Sequence, residues 1–153
     1  MQLPAGRLPK LTELNMTSLK SQLLMQVVGH GVGQQLQTLR IIFCLGNYTA
    51  LQLDKLLDAC PYLSALCLDG KSLQSAGELL PDTCRQLRIL RLSMEDRWEP
   101  WVQQGLLPQL LLLAHDLRSV ELCSEFLAVQ DLEPLTQLVE QRACLRYFGA
   151  TSN

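Results

Sequence analysis

One six-residue frame, L-x-x-L-x-L with other apolar residues standing in at its fourth and sixth places, recurs six times along this chain, beginning at Leu11, Leu36, Leu63, Leu87, Leu117 and Leu145. The gaps between copies are 25, 27, 24, 30 and 28 residues. No other feature limits the fold as much. A unit of this length carries too few large apolar side chains to offset the entropy of ordering itself, so it must stack on its neighbours. Self-similarity at this period is the signature of a stacked array, and it predicts one domain over residues 1–153 with about six repeats.

The copies read Leu11-Thr12-Glu13-Leu14-Asn15-Met16, Leu36-Gln37-Thr38-Leu39-Arg40-Ile41 and Leu63-Ser64-Ala65-Leu66-Cys67-Leu68. They continue with Leu87-Arg88-Ile89-Leu90-Arg91-Leu92, Leu117-Arg118-Ser119-Val120-Glu121-Leu122 and Leu145-Arg146-Tyr147-Phe148-Gly149-Ala150. The second half of each frame alternates as a strand does, with successive side chains on opposite faces. The fourth and sixth positions are therefore expected inside, and the third, fifth and seventh on the open face of a sheet. Apolar residues at helical spacing follow the frames: Leu19, Leu23, Leu24, Val27 and Val28 in the first repeat, and Leu51, Leu53, Leu56 and Leu57 in the second. In the fifth, Leu132, Leu135, Leu138 and Val139 form the same one-sided stripe. The apolar run Leu110 to Ala114, with Leu106 and Leu107 before Pro108, reads as a buried helix. Strand then helix at this length is the unit of a leucine-rich repeat.

Cysteine usage fits that unit. Cys60 and Cys84 each stand three residues before a frame leucine, Cys144 stands directly before Leu145, and Cys44 is the ninth residue of its repeat. Repeat-locked cysteines are expected to pack as small buried hydrophobes, with reduced thiols, rather than to form disulfides. The stretch Cys60-Pro61-Tyr62-Leu63-Ser64-Ala65-Leu66-Cys67-Leu68-Asp69-Gly70 resembles the cysteine-containing repeats of the ribonuclease-inhibitor-like leucine-rich-repeat group, which includes the substrate-recognition halves of F-box ubiquitin-ligase receptors. The resemblance runs from Leu11 to Ala150. It implies an α/β right-handed solenoid, a horseshoe with a parallel sheet on the concave face and helices on the convex face. The family places Asn or Cys at the ninth position of the repeat. Cys44 and Asn153 match it, while Leu19, Lys71, Glu95 and Glu125 depart from it. No F-box sequence is present, so a role as ubiquitin-ligase adaptor is implied only if an F-box lies upstream. The first frame starts close to the beginning and the last has no helix after it, so we expect a fragment of a longer protein.

Charge and hydropathy exclude several classes of partner. The net charge of −2 gives no electrostatic case for nucleic acid or an anionic membrane. No apolar run approaches the ~20 residues that span a bilayer. No basic segment followed by a continuous apolar core marks a signal peptide. Two glycosylation triplets occur, Asn15-Met16-Thr17 and Asn47-Tyr48-Thr49, but Asn15 falls within a predicted strand. The expected localisation is cytoplasmic or nuclear.

Patterns that look like chemistry are explained by the repeat. Ala65-Leu66-Cys67-Leu68-Asp69-Gly70-Lys71-Ser72 satisfies a loose phosphate-loop pattern. Such a loop needs flexible backbone whose N–H groups wrap a phosphate, whereas these residues already form the third strand. Gly29-His30-Gly31-Val32-Gly33 follows a helix and reads as its stop. His30 and His115 lie between elements, and no cysteine pair has the C-x-x-C spacing of a zinc site. We therefore expect neither enzyme activity nor a cofactor, with nucleotide binding through Gly70, Lys71 and Ser72 as the alternative of another class.

The expected function is that of a non-catalytic module binding another protein or peptide. Among the outward positions we single out Arg40, Ile42, Cys67, Asp69, Ile89, Arg91, Glu121 and Tyr147 as the contact surface. Charges of both signs alternate there with apolar side chains, which suits a protein better than a polyanion. Arg and Tyr are common interface anchors, so Arg40, Arg91 and Tyr147 head the set. Arg91 and Glu121 hold equivalent places in adjacent frames and are expected to pair. The longest repeat contains Arg97-Trp98-Glu99-Pro100-Trp101, in which Trp98 and Trp101 are candidates for a contact on the rim. Burial of at least one of the two rings, plugging the wider gap, is the expectation there.

Overall fold

The computed structural model describes residues 11–19, 21–43, 51–69, 73–74, 81–94, 106–124 and 147–151, with 133, 136 and 140. The frames become strands β1 (Glu13–Leu19), β2 (Thr38–Phe43), β4 (Ala65–Asp69), β6 (Ile89–Met94), β7 (Ser119–Ser124) and β8 (Tyr147–Thr151). They form one 6-stranded sheet in the order β1-β2-β4-β6-β7-β8, and every pair is parallel. The protein is thus mixed α/β with a parallel sheet laid down in chain order.

Register follows the frame. Glu13, Thr38, Ala65, Ile89, Ser119 and Tyr147, each the third residue of its copy, lie side by side across the sheet. A repeated hydrogen-bond device sets this alignment. The Thr12 carbonyl accepts the N–H groups of Gln37 and Thr38 at 2.8 and 3.0 Å. The Gln37 carbonyl accepts those of Ser64 and Ala65, the Ser64 carbonyl those of Arg88 and Ile89, and the Arg88 carbonyl those of Arg118 and Ser119, at the same lengths. A shift between Thr17 and Leu19 interrupts the β1–β2 ladder.

Burial follows the alternation. Leu39, Ile41, Leu66, Leu90, Leu92, Val120 and Leu122 are fully buried, as are the leading Leu36 and, within a few per cent, Leu63, Leu87 and Leu117. Each fully buried leucine contributes roughly 1.5–3 kcal/mol through the water it excludes. The first copy differs because it lies at the sheet's edge. Leu11 is 41% exposed, and Leu14 and Met16 are half-buried.

The approach to each frame is also shared. The N–H groups of Leu36, Leu63, Leu87 and Leu117 donate to the carbonyls of Gly33, Cys60, Cys84 and Ala114, at 3.1–3.3 Å. Those four acceptors are all small and all buried. Cys60 and Cys84 are thiols in this slot, as their spacing from the frame leucine predicts. Cys44 and Cys144 lie outside the described residues.

Helices lie between the strands: α1 (Ser21–Val27), α2 (Leu53–Ala59), α3 (Pro81–Cys84) and α4 (Leu106–Leu113). The sequence reading placed Leu19 and Leu51 on helices. Leu19 ends β1, and Leu51 belongs to a two-residue strand, β3 (Leu51–Gln52), paired in parallel with β5 (Leu73–Gln74) in a second sheet. Two-residue strands carry too little alternation to be read from sequence. Leu53, Leu56 and Leu57 form the buried face of α2, and Leu24 and Val28 that of the first repeat, where Leu23 is 48% exposed. In α4, Pro108 sits in the first turn, where a missing N–H breaks no helical bond. The helix is one-sided rather than wholly buried: Leu110 and Leu111 face the core, and Leu112 is 49% exposed. Glu133, Thr136 and Glu140 are helical and exposed at spacings that share one helix face. The apolar stripe Leu132, Leu135, Leu138 and Val139 lies outside the described side chains.

After α1 the chain widens into a turn over Val28–Val32, where Gly31 adopts φ 92°, a conformation natural only to glycine. That is the helix stop expected at Gly29-His30-Gly31-Val32-Gly33. Among the described residues no helix is long and apolar enough to cross a membrane.

Candidate functional site

The pairing that buries the fourth and sixth residues turns the third, fifth and seventh to solvent. The fifth positions form one row, Asn15-Arg40-Cys67-Arg91-Glu121-Gly149. The seventh form a second row, Thr17-Ile42-Asp69-Ser93-Cys123, with a ladder shift only beyond Thr17. Neighbours within a row stand about 4.8 Å apart. Between the rows lies a shallow bowl of about 360 Å³, lined by Arg40, Ile42, Cys67, Asp69, Arg91 and Glu121, with Ser93 and Cys123.

Most of the residues singled out from sequence therefore meet at one place. Ile89 does not line the bowl; it is a third-position residue, 45% exposed, one row nearer the strand starts. Tyr147 pairs with Ser119 at the start of β8. Its side chain, and the segment holding Trp98 and Trp101, lie outside the described residues.

The bowl's charges cancel. Arg91 Nε lies 3.3 Å from Glu121 Oε2, the pair expected from their equivalent frame positions. Arg40 and Asp69, on adjacent strands, have no ion pair among the described residues. Cys67 sits between the two arginines. Burial pushes its thiol up, the Arg40 and Arg91 guanidiniums draw it back, and Glu121 adds to the rise. The bowl can match a ligand presenting both a carboxylate and a donor.

Ala65–Asp69, the body of the phosphate-loop pattern, is strand β4 and pairs on both sides with β2 and β6. Gly70, Lys71 and Ser72 lie outside the described residues. Among the described residues no group of three or more His, Cys, Asp or Glu is gathered as a metal site.

A second concavity was not anticipated from the sequence. It is a groove of about 1010 Å³ along the edge where the strands begin. Its walls are the residues flanking the buried frame leucines: Gln34, Gln35 and Gln37 around Leu36, Tyr62 and Ser64 around Leu63, and Arg85, Gln86 and Arg88 around Leu87. Thr12 and Asp116 complete it. The signal was present in the frame, because residues at a fixed offset from each leucine must stand side by side once the copies stack. The alternation of the strand alone does not single them out.

No protein-family model, curated protein or solved structure matches this chain.

Proposed function

We propose that the chain is a leucine-rich-repeat solenoid of the ribonuclease-inhibitor-like type and that it acts as a non-catalytic module binding another protein or peptide. The concave surface of such a solenoid would be the outward rows of the sheet. One observation carries the reading: the six frames align residue for residue across a parallel sheet in chain order, so outward side chains of distant repeats are assembled into one surface. A surface built this way fits an extended partner, since each repeat contributes one or two contacts.

Arg40 is the principal anchor, because Arg91 is already engaged by Glu121. Ile42 and Cys67 supply apolar contact beside it, and Asp69 an acceptor. The chain works in the cytoplasm or nucleus with its thiols reduced, a reading supported by the packing of Cys60 and Cys84 as thiols.

An affinity capture from cell extract, read by mass spectrometry, tests the proposal. The comparison protein carries Arg40→Glu, Arg91→Glu and Tyr147→Ala, with folding checked by circular dichroism. A partner held by the natural chain and lost by the triple variant is the expected result. Partners retained equally by both would remove the sheet face from consideration.

A further inference from the structure

We propose that the groove at the strand starts is a separate docking site, which takes an extended acidic peptide segment of about six residues lying across the strands. The inference stands apart from the reading of the sheet face, because the two surfaces use different residues.

Length is fixed by the repeat. From Thr12 in the first repeat to Asp116 in the fifth, the lining crosses five successive repeats at the strand spacing of about 4.8 Å, so the groove extends about 19 Å. An extended chain advancing about 3.3 Å per residue covers that distance in about six residues.

The available chemistry is that of side chains. Along the groove floor the carbonyls of Thr12, Gln37, Ser64 and Arg88 each accept two N–H groups from the next repeat. Even the Ser64 hydroxyl donates to the Gln37 carbonyl, at 2.9 Å. A ligand is therefore met by groups not engaged in the ladder, among them the amides of Gln34, Gln37 and Gln86. Primary amides both donate and accept, and so match a peptide backbone, which does the same.

Sign of charge follows from the walls. Arg85, in the turn after α3, and Arg88, just before β6, both line the groove, and Asp116 is the one opposing charge among the lining residues. Guanidiniums bind carboxylates through paired hydrogen bonds. Tyr62, 54% exposed, offers a ring against which an aliphatic stem packs. Sites for small organic ligands are mostly apolar, whereas every residue lining this groove carries a polar group on its side chain.

Fluorescence anisotropy with fluorescein-labelled hexaglutamate at low ionic strength tests the assignment. Hexalysine and a Gly-Ser hexapeptide serve as controls. Hexaglutamate should bind, and the controls should bind at least tenfold more weakly. Arg85→Glu with Arg88→Glu should weaken hexaglutamate at least tenfold. Asp116→Asn should tighten it a few-fold, a gain that misfolding does not imitate. Arg40→Gln with Arg91→Gln, on the sheet face, should weaken it no more than about twofold, through the general loss of positive charge at low salt. The proposal is overturned if hexaglutamate fails to bind at millimolar protein, if the groove variants bind as the natural chain does, or if the sheet-face variant alone loses it. Displacement of hexaglutamate by inorganic phosphate at low millimolar concentration would also overturn it, by reassigning the groove to a free oxyanion.

Discussion

The main chain at Gly33 runs so close to the carbonyl oxygen of Ala59 that no β-carbon fits between them. A β-carbon there would also stand 2.9 Å from the Val28 carbonyl oxygen. Both obstacles are backbone, which cannot rotate away as a side chain does. Cys60, Cys84 and Ala114, which carry a β-carbon, fill the equivalent slot in later repeats.

Gly33→Ala is therefore expected to destabilise the protein by about 2 kcal/mol or more, in the range of overpacked cores. Gly29 is the control, because a β-carbon there meets nothing within 4 Å. Gly29→Ala should be neutral or stabilising by up to about 1 kcal/mol, since alanine restricts the unfolded chain. Urea unfolding of the two variants gives the comparison. Equal midpoints would mean that the close approach at Gly33 relaxes without cost.

Position within the stack should grade the cost of removing the same side chain. Leu90 is fully buried on a central strand, whereas Leu14, at the same frame position in the first copy, is half-buried at the edge. Leu90→Ala is expected to cost about 2–5 kcal/mol, the span seen for buried leucines. Leu14→Ala should cost less than half as much. Denaturant titrations monitored by circular dichroism measure both, and an equal loss would show that the first repeat is as tightly packed as the fourth.

Much of this was legible because a strand has only two faces. Once L-x-x-L-x-L fixed which residues face the core, Arg40, Cys67, Arg91 and Glu121 had to share a row, and they do. Cys60 and Cys84 were legible for the same reason: a fixed offset from a buried leucine gives a fixed place in the packing. The strand between Leu51 and Gln52 was not legible, because its partner at Leu73 is set by how neighbouring repeats approach rather than by local pattern. The groove between Gln34 and Arg88 was missed for a different reason. No residue in it is unusual alone, and only the stacking of several copies makes it concave.

Arg91 and Glu121 form the ion pair expected from the frame, and its worth is small. The Arg91 side chain is 54% exposed and that of Glu121 35%, so water screens their attraction. A double-mutant cycle with Arg91→Ala and Glu121→Ala should return a coupling of about 0.2–1 kcal/mol at low salt. It should fade toward zero near ~1 M salt, where the screening length falls to about 3 Å. A coupling that survives such salt would mean that the pair is shielded from solvent.

Cys60 gives the chain a weakness toward alkaline solution. Its thiol is fully buried, and burial pushes it from 9.0 up to about 11. Between those values the unfolded chain has lost a proton that the folded chain keeps. Stability therefore falls with rising pH across this window, having been fully present below pH 9. A rise of this size corresponds to about 3 kcal/mol lost between pH 9 and 11, at about 1.4 kcal/mol per unit. Lysines and tyrosines titrate over the same range, so the comparison must be with Cys60→Ala. Ala114 occupies the equivalent slot in a later repeat, which indicates that alanine is accommodated there, at a cost of about 1 kcal/mol for the apolar contact removed. Urea unfolding at pH 8, 9, 10 and 11 should show the natural chain losing its advantage over Cys60→Ala and then falling below it. Parallel curves for the two proteins would mean that the Cys60 thiolate finds water or a cation in the folded state.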